Sequence, residues 1–245
     1  MPEIALMAGS GVEKAFKVSR DIRIKTPYGV VTASELEIFD IPVIFLPRHG
    51  REHSVPPHMI NYRANVFALK EAGVKVVVST NAVGSLRVGI KPGDCVVPDQ
   101  LLDFTKARPS TFFDGSNGEV VHTDVTEIYS SEVRKALIRS FSGKKMPLHR
   151  KGVYVCTEGP RYETPAEIAM YRKLGGDVVG MTGYPEAVLA KELGLKYGTV
   201  CVVTNYGAGM QDRVQHSEVV RLMDSAMEDV RHHIKATVLL LAGSK

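Results

Sequence analysis

The densest group of reactive side chains is the segment Pro-Arg-His-Gly-Arg-Glu-His at residues 47–53, which directly follows an apolar run. An arginine can hold a phosphate through two N–H donors, and a histidine can donate a further hydrogen bond. The carboxylates or cysteines that would complete a zinc centre are not present at ligand spacing. The segment therefore predicts an anion-binding site, with a solvated basic loop as the alternative.

Small residues follow two other apolar runs, in Ala-Gly-Ser-Gly at residues 8–11 and in Thr-Asn-Ala-Val-Gly-Ser at residues 80–85. Backbone N–H groups in such turns can point at an anion, and open α/β sheets bind ligands where their strands end. The first segment is neither a Walker A loop nor a dinucleotide fingerprint, because Lys14 stands where the third glycine would be. Both predict parts of a phosphate cradle, although an ordinary tight turn explains the first equally well.

Four other residues have side chains suited to a base or a sugar. Tyr162 offers a ring that can stack on a base, Glu163 an acid beside it, and Asn205 a donor and an acceptor in one amide, while Met181 follows an apolar run. Each residue also has a purely structural interpretation. Tyr162 can be a packing residue and Glu163 a charge at a helix start, while Asn205 can stabilise a turn and Met181 can belong to the core. Only their combination with the anion segments predicts a ligand cleft.

The elements that must position these residues alternate between short apolar runs and helical spacing. Strands are predicted at residues 4–7, 43–46, 74–79, 153–156, 178–181 and 199–203, and helices at 61–72, 131–141, 165–174, 185–193 and 217–242. Ser130 or Ser131 and Thr164 are the expected N-caps of two helices. This alternation predicts an α/β fold, a single domain over residues 1–245 with a mixed, mostly parallel central sheet flanked by helices. Residues 26–38 and 93–97 are expected to add antiparallel strands, and the irregular residues 104–124 to form a binding loop.

Composition narrows the class of protein. The chain has 245 residues and a net charge of +4 without a run of basic residues, which argues against a nucleic-acid partner. Cys95, Cys156 and Cys201 are too far apart for a zinc ribbon, so a reducing cytoplasm is expected, with Cys156 and Cys201 as inert core residues. No apolar run approaches the roughly 18 residues that span a bilayer, so we expect no membrane association.

The order of the motifs resembles that of a known family. They are residues 47–53, Ile-Asn-Tyr-Arg-Ala-Asn at 60–65, Asp-Gln at 99–100, Glu-Gly-Pro-Arg at 158–161, and Met-Thr at 181–182 with Pro-Glu at 185–186. Together they resemble the trimeric purine nucleoside phosphorylases and methylthioadenosine phosphorylases. The resemblance implies a purine-salvage pentosyltransferase that uses phosphate as a co-substrate to cleave a purine nucleoside into free base and ribose 1-phosphate. It also implies that no metal or other cofactor is needed, and that the chain forms a homotrimer or a dimer of trimers.

The resemblance assigns roles to individual residues. The predicted phosphate-binding residues are Ser10, Arg48, His49, Asn81, Ala82 and Thr182. The predicted substrate-binding residues are Met181 against the ribose, Tyr162 at the base, Glu163, Asn205, Tyr206 and Gly207, and also His122, which would reach into a neighbouring subunit's site. Asn205 and His49 are the predicted catalytic residues.

Glu163 and Asn205 predict which purine is bound. A 6-oxopurine presents O6 as an acceptor and N1–H as a donor, and adenine presents the reverse pattern. Glu163 can accept from N1–H, while Asn205 can donate to O6 and accept from N7–H. Inosine and guanosine are therefore the expected substrates, with methylthioinosine or methylthioadenosine as alternatives and a non-catalytic nucleoside-binding protein as a less favoured one. His216 resembles the residue that meets the ribose 5′-hydroxyl, although helix capping or solvent exposure explains it equally well.

Overall fold

The described part of the chain builds one sheet of eleven strands. The computed structural model describes residues 2–9, 16, 18–50, 52, 54–116, 118, 120–141, 146–212 and 216–243. The strands are β1 Ile4–Ala8, β2 Val18–Thr26, β3 Gly29–Ile38, β4 Ile41–Pro47, β5 Val76–Ser85, β6 Cys95–Val96, β7 Gln100–Phe104, β8 Leu148–His149, β9 Val153–Thr157, β10 Val178–Gly180 and β11 Lys196–Tyr206. Their main order is β2-β3-β4-β1-β5-β10-β9-β7, while β11 pairs with β5 and β6, and β6 pairs with β8.

Parallel pairing joins β4, β1, β5 and β11, and separately β10, β9 and β7. Most of these strands are buried apolar runs, as is typical of a parallel sheet that is covered on both faces. The β2–β3 hairpin adds to β4 antiparallel, and β6 adds antiparallel to β11. The predicted α/β fold with a mixed, mostly parallel sheet is thus confirmed, including the two antiparallel additions.

Helices cover both faces of the sheet. They are α1 Tyr62–Glu71, α2 Ser131–Ser140, α3 Pro165–Lys173, α4 Gly183–Glu192 and α5 His216–Ala242. One face packs on α2 and α5, and the other on α1 and α4. Thr164 caps α3 in a capping box with Glu167, as predicted, whereas Ser130 occupies the N-cap of α2 without a side-chain hydrogen bond.

The prediction that the strand of residues 74–79 ends at Ser79 is wrong, because β5 continues through residues 80–85 to Ser85. Their polar side chains look like a turn in the sequence, but β11 pairs with β5 along its whole length. The other neighbour of β5 changes: β1 pairs with it only up to Ser79, and β10 only at Gly84 and Ser85. Among the described strands, residues 80–83 therefore have one open edge.

The described residues between 105 and 124 are irregular beyond the end of β7, as predicted, and they are anchored to the body of the molecule. Thr111 and Phe112 donate to the carboxylate of Glu192, both at 2.7 Å, and the ring of Phe112 packs against Tyr28. All three cysteines are buried and unpaired. None of the described helices is both long enough and apolar enough to cross a membrane.

Candidate active site

One cavity of about 430 Å³ collects most of the predicted site residues. It is lined by nine of them: Arg48, His49, Asn81, Ala82, Tyr162, Glu163, Met181, Thr182 and Asn205. The cavity lies beside the open edge of β5, past the ends of β1 and β4. The sheet therefore brings together residues from five separate segments at the place where its strand pairing changes.

Arg48 is held at one end of the cavity by a carboxylate. Its Nε lies 2.6 Å from Oε1 of Glu186 and its Nη2 lies 2.9 Å from Oε2, and both side chains are completely buried. Nη2 also donates to Ser79 Oγ, and Nη1 to the carbonyl of Thr80. Burial alone would lower the pKa of Arg48. The charge and hydrogen bonds of Glu186 raise it by more, so the pKa of Arg48 lies above its ordinary value.

These contacts limit what Arg48 can offer a ligand. A guanidinium has five N–H hydrogens, and the described residues account for four of those on Arg48, leaving one on Nη1. An ideal Cβ on Gly9, which also lines the cavity, would lie 3.1 Å from Nη1. A single donor can therefore reach an anion past Gly9, whereas a two-donor grip would require Arg48 to give up one of its present bonds.

His49 is oriented by the loop that follows it. Its Nδ1 lies 2.9 Å from the carbonyl oxygen of Val55. A carbonyl only accepts hydrogen bonds, so Nδ1 carries a hydrogen, and this contact fixes the orientation of the ring at the cavity wall.

Asn81 and Thr182 form a chain of polar groups that continues to Thr199. The hydroxyl of Thr182 donates to Asn81 Oδ1, and Asn81 Nδ2 donates to Thr199 Oγ1, both at 2.7 Å. Hydroxyl groups both donate and accept, so the amide can also take the opposite orientation with both bonds kept. In that orientation the hydrogen of Thr182 is released for a ligand.

At the other end of the cavity lie Tyr162 and Glu163, from the loop that precedes α3. Glu163 Oε1 accepts a hydrogen bond of 2.7 Å from Thr157 Oγ1. Burial raises the pKa of Glu163, and the hydrogen bond from Thr157 only partly offsets this. Burial, and next the charge of Glu163, raise the pKa of Tyr162.

The amide of Asn205 has a fixed orientation, unlike that of Asn81. Its Nδ2 donates to the carbonyl of Tyr206 and its Oδ1 accepts from Thr204 Oγ1, both at 2.8 Å. Because a carbonyl cannot donate, Nδ2 must face Tyr206. A second hydrogen and a second lone pair remain for a ligand. An ideal Cβ on Gly84 would lie 3.1 Å from Nδ2, so the absence of a side chain there makes room for this amide.

The other five predicted residues are not among the described residues that line this cavity. Ser10 and the side chain of His216 lie outside the described residues. Tyr206 and Gly207 do not line the cavity: the hydroxyl of Tyr206 donates to the carbonyl of Val88 at 3.4 Å, and an ideal Cβ on Gly207 would lie 3.0 Å from the side chain of Ile168. His122 is exposed on the loop before α2. The roles predicted for these five residues remain predictions.

Two charged residues that hold the cavity in place, Glu186 and Arg108, were not predicted from the sequence, and neither was an apolar wall of Val55, Pro56, Pro57 and Val219. Glu186 lies in a motif that was noted, but its partner Arg48 is 138 positions away. No local pattern marks such a pair. The described residues also contain no group of three His, Cys, Asp or Glu side chains that could hold a metal ion.

Comparison with known proteins shows the family to which this chain belongs. The model of the phosphorylase superfamily matches residues 3–239. The chain belongs to this superfamily. It is 51% identical to the 6-oxopurine nucleoside phosphorylase of Pyrococcus furiosus, over 98% of this chain and 94% of that protein. It is 48% identical to a probable S-methyl-5′-thioinosine phosphorylase of Methanothermobacter thermautotrophicus, over 96% of this chain and 83% of that protein.

Solved structures of the phosphorylase superfamily share the fold. Methylthioadenosine phosphorylase from Schistosoma mansoni in complex with adenine superposes with a TM-score of 0.93 at 30% identity, over 100% of this chain and 93% of that one. A methylthioadenosine phosphorylase from an antarctic soil metagenomic library gives the same TM-score at 37% identity, over 99% and 87%. The predicted family and the prediction of a nucleoside phosphorylase enzyme are thereby confirmed.

Proposed function

We propose that this protein cleaves 6-oxopurine nucleosides, inosine and guanosine, reversibly with inorganic phosphate to give free base and ribose 1-phosphate. The observation that carries this proposal is that Glu163 and Asn205 line the same cavity as Arg48, His49 and Thr182. A protein that binds only a nucleoside would have no use for the anion-binding residues Arg48, His49 and Thr182. The names of the relatives from Pyrococcus furiosus and Methanothermobacter thermautotrophicus support a 6-oxopurine nucleoside, or its 5′-methylthio analogue, as substrate.

At the base end, Glu163 accepts from N1–H of the purine, and Asn205 donates to O6 and, as the leaving base is protonated at N7, accepts from N7–H. Adenine would place acceptor against acceptor at Glu163, and each buried group left unpaired costs about 1–3 kcal/mol. At the phosphate end, Arg48 Nη1, His49, Thr182 and the backbone near Ser10 and Ala82 hold the anion. Phosphate then stabilises the positive charge that develops on the ribose against Met181, and Asn205 stabilises the negative charge that moves into the base. No cofactor takes part in this proposal.

A second candidate function is phosphorolysis of 5′-methylthioinosine. The observation that favours it is the apolar wall of Val55, Pro56, Pro57 and Val219. With phosphate and base at the two polar ends, this wall remains for the 5′ substituent. A methylthio group loses no hydrogen bond against this apolar wall, whereas a 5′-hydroxyl needs a hydrogen-bond partner. We propose His216 as that partner.

The deciding experiment is base release from inosine, guanosine, adenosine, methylthioinosine and methylthioadenosine, each with and without phosphate. We expect phosphate-dependent release from the 6-oxopurines alone. Preferred release from methylthioadenosine would overturn the assignment of Glu163 and Asn205. The variant Asn205→Asp should shift the inosine-to-adenosine ratio towards adenosine, and an unchanged ratio would count against Asn205 as the base contact.

We further propose a cytoplasmic homotrimer or dimer of trimers in which His122 reaches a neighbouring subunit's cavity. Val120 and Val121, next to His122, are 81% and 43% exposed, and apolar side chains this exposed support a subunit contact. Sedimentation of the wild type against Val120→Asp tests this. An unchanged oligomeric state in the variant would argue against this loop as the contact.

A further inference from the structure

Arg108 is a buried arginine outside the cavity that the proposed function leaves without a role. It lies on the irregular segment after β7, and its side chain is only 1% exposed. It is not among the residues that line the cavity. An arginine buried this deeply is costly unless its donors are satisfied, so its contacts show what it does.

All five N–H directions of Arg108 meet acceptors. Nη1 donates to the carbonyl of Tyr184 at 2.7 Å and to the hydroxyl oxygen of Tyr62 at 3.0 Å. Nη2 donates to the carbonyls of Glu158 at 2.7 Å and Thr157 at 3.1 Å. Nε faces Glu158 Oε1 at a long 3.4 Å. The charge is thus met mainly by three backbone carbonyls, while the guanidinium also lies 5.1 Å from the centre of the Tyr62 ring.

Three of the residues that accept hydrogen bonds from Arg108 are each connected to a different part of the cavity lining. Thr157 donates through its hydroxyl to Glu163 at the base end. Tyr62 donates through its hydroxyl to the carbonyl of Pro57, in the apolar wall, at 2.8 Å. Tyr184 follows Met181 by three residues and Thr182 by two, at the start of α4. Arg108 therefore connects the base end, the apolar wall and the segment that carries Met181.

We propose that Arg108 is a positioning residue for the nucleoside half of the cavity, an inference that rests on the proposed function. It fixes the backbone at Thr157–Glu158 and at Tyr184, and through Tyr62 the Pro57 wall, so that Glu163 and Met181 meet the nucleoside in one geometry. It contacts neither the nucleoside nor phosphate. A lysine carries the charge but has only three donors on one atom, so it cannot hold three carbonyls and a hydroxyl in a plane.

The test varies inosine and phosphate separately with the wild type, Arg108→Lys and Arg108→Met. Because a misplacement of about 1 Å can cost on the order of 100-fold, we expect KM for inosine to rise at least about tenfold in both variants. KM for phosphate should stay within about twofold, since Arg108 makes no direct contact with Arg48, His49 or Glu186 among the described residues. Tyr62→Phe, which removes the bridging hydroxyl, should show the same selectivity with a smaller effect.

Arg134→Lys is the matched control, because Arg134 also donates to two carbonyls, of Pro98 and Arg150, at a distance from the cavity. We expect it to lower the melting temperature without a selective change in either KM. Equal changes in both KM values for Arg108→Lys, or a fall in melting temperature alone, would overturn the positioning role.

Titration calorimetry with inosine separates this inference from the proposed function. If the wild type releases no base but binds inosine more tightly than Arg108→Lys does, the proposed function is wrong and the positioning role of Arg108 stands. Equal inosine affinity in the two proteins would remove the positioning role and leave the assignment standing.

Discussion

The two ends of the cavity are each supported by a buried arginine, and the two guanidinium groups have different partners. Arg48 at the phosphate end is paired with the fully buried carboxylate of Glu186. Arg108 near the base end is held mainly by backbone carbonyls, and its nearest carboxylate, that of Glu158, is 22% exposed and 3.4 Å away. One end therefore depends on charge balance and the other on directed hydrogen bonds.

This difference between the partners of the two arginines implies that the two ends would bind their ligands in different ways. Because Glu186 neutralises Arg48, the proposed phosphate end offers an anion single donors and hydroxyl groups rather than an uncompensated arginine charge. At the base end, the carbonyls that Arg108 holds belong to the segments that position Glu163 and Met181, and discrimination between two purines requires such fixed positions. The following predictions test this contrast.

The largest effect is expected from Glu186→Gln. The substitution leaves the charge of Arg48 buried without a counter-charge, and breaking a buried pair in this way costs about 3–5 kcal/mol of unfolding free energy. Urea denaturation of the wild type and the variant measures it. The double variant Glu186→Gln with Arg48→Met should recover part of the loss. A midpoint for Glu186→Gln equal to that of the wild type would show that the pair does not hold this end.

Glu163→Gln should change specificity. A glutamine can donate to N1 of adenine and fits N1–H less well, so we expect kcat/KM for inosine to fall roughly 100-fold and the inosine-to-adenosine ratio to fall with it. Steady-state kinetics on both nucleosides measure the ratio. An unchanged ratio would remove Glu163 from base recognition.

The same residue predicts a pH dependence. Burial raises the pKa of Glu163, and protonation removes the negative charge that makes this carboxylate a strong acceptor for N1–H. Activity on inosine should thus be complete above this raised pKa and fall as the pH drops through it. Profiles of kcat/KM for the wild type and Glu163→Gln should differ by this inflection, and identical acid limbs would contradict the assignment.

A moderate effect is expected from Thr164→Ala, which removes the cap of α3 beside Glu163. Thr164 Oγ1 accepts from the backbone N–H of Glu167, and losing such a cap costs about 1 kcal/mol. The pKa of Glu167 is lowered to about 2 by Arg161 and the backbone N–H of Thr164, so that carboxylate stays charged at the helix start. Thermal unfolding measures the loss. A fall in phosphate affinity larger than that in inosine affinity would contradict the separation of the two ends.

The smallest effect is expected from Glu158→Gln, the counterpart of Glu186→Gln at the base end. The contact to Arg108 is long and partly exposed, and such pairs contribute about 0–1 kcal/mol. Urea denaturation alongside Glu186→Gln gives a direct comparison. Equal losses in the two variants would erase the contrast between the two arginines.

Much of the fold and most of the site could be predicted from the sequence, because the signals are local. β1, β4 and β9 are short apolar runs bounded by polar residues, and Thr164 with Glu167 marks the start of α3. Arg48, His49 and Asn205 each stand out as polar residues directly after or at the end of such a run. Their meeting in one cavity follows from the way parallel strands end at one edge of a sheet.

The sequence by itself determined which residues could bind phosphate and purine, and the order of strands and helices that presents them. Only the tertiary structure decided that residues 80–85 continue β5, because β11 supplies their backbone partners from more than 110 positions away. It also decided the partners of the two arginines, Glu186 for Arg48 and the carbonyls of Thr157, Glu158 and Tyr184 for Arg108. Burial forces each guanidinium to find acceptors among whatever groups the fold places beside it, and distance along the chain carries no signal of that choice.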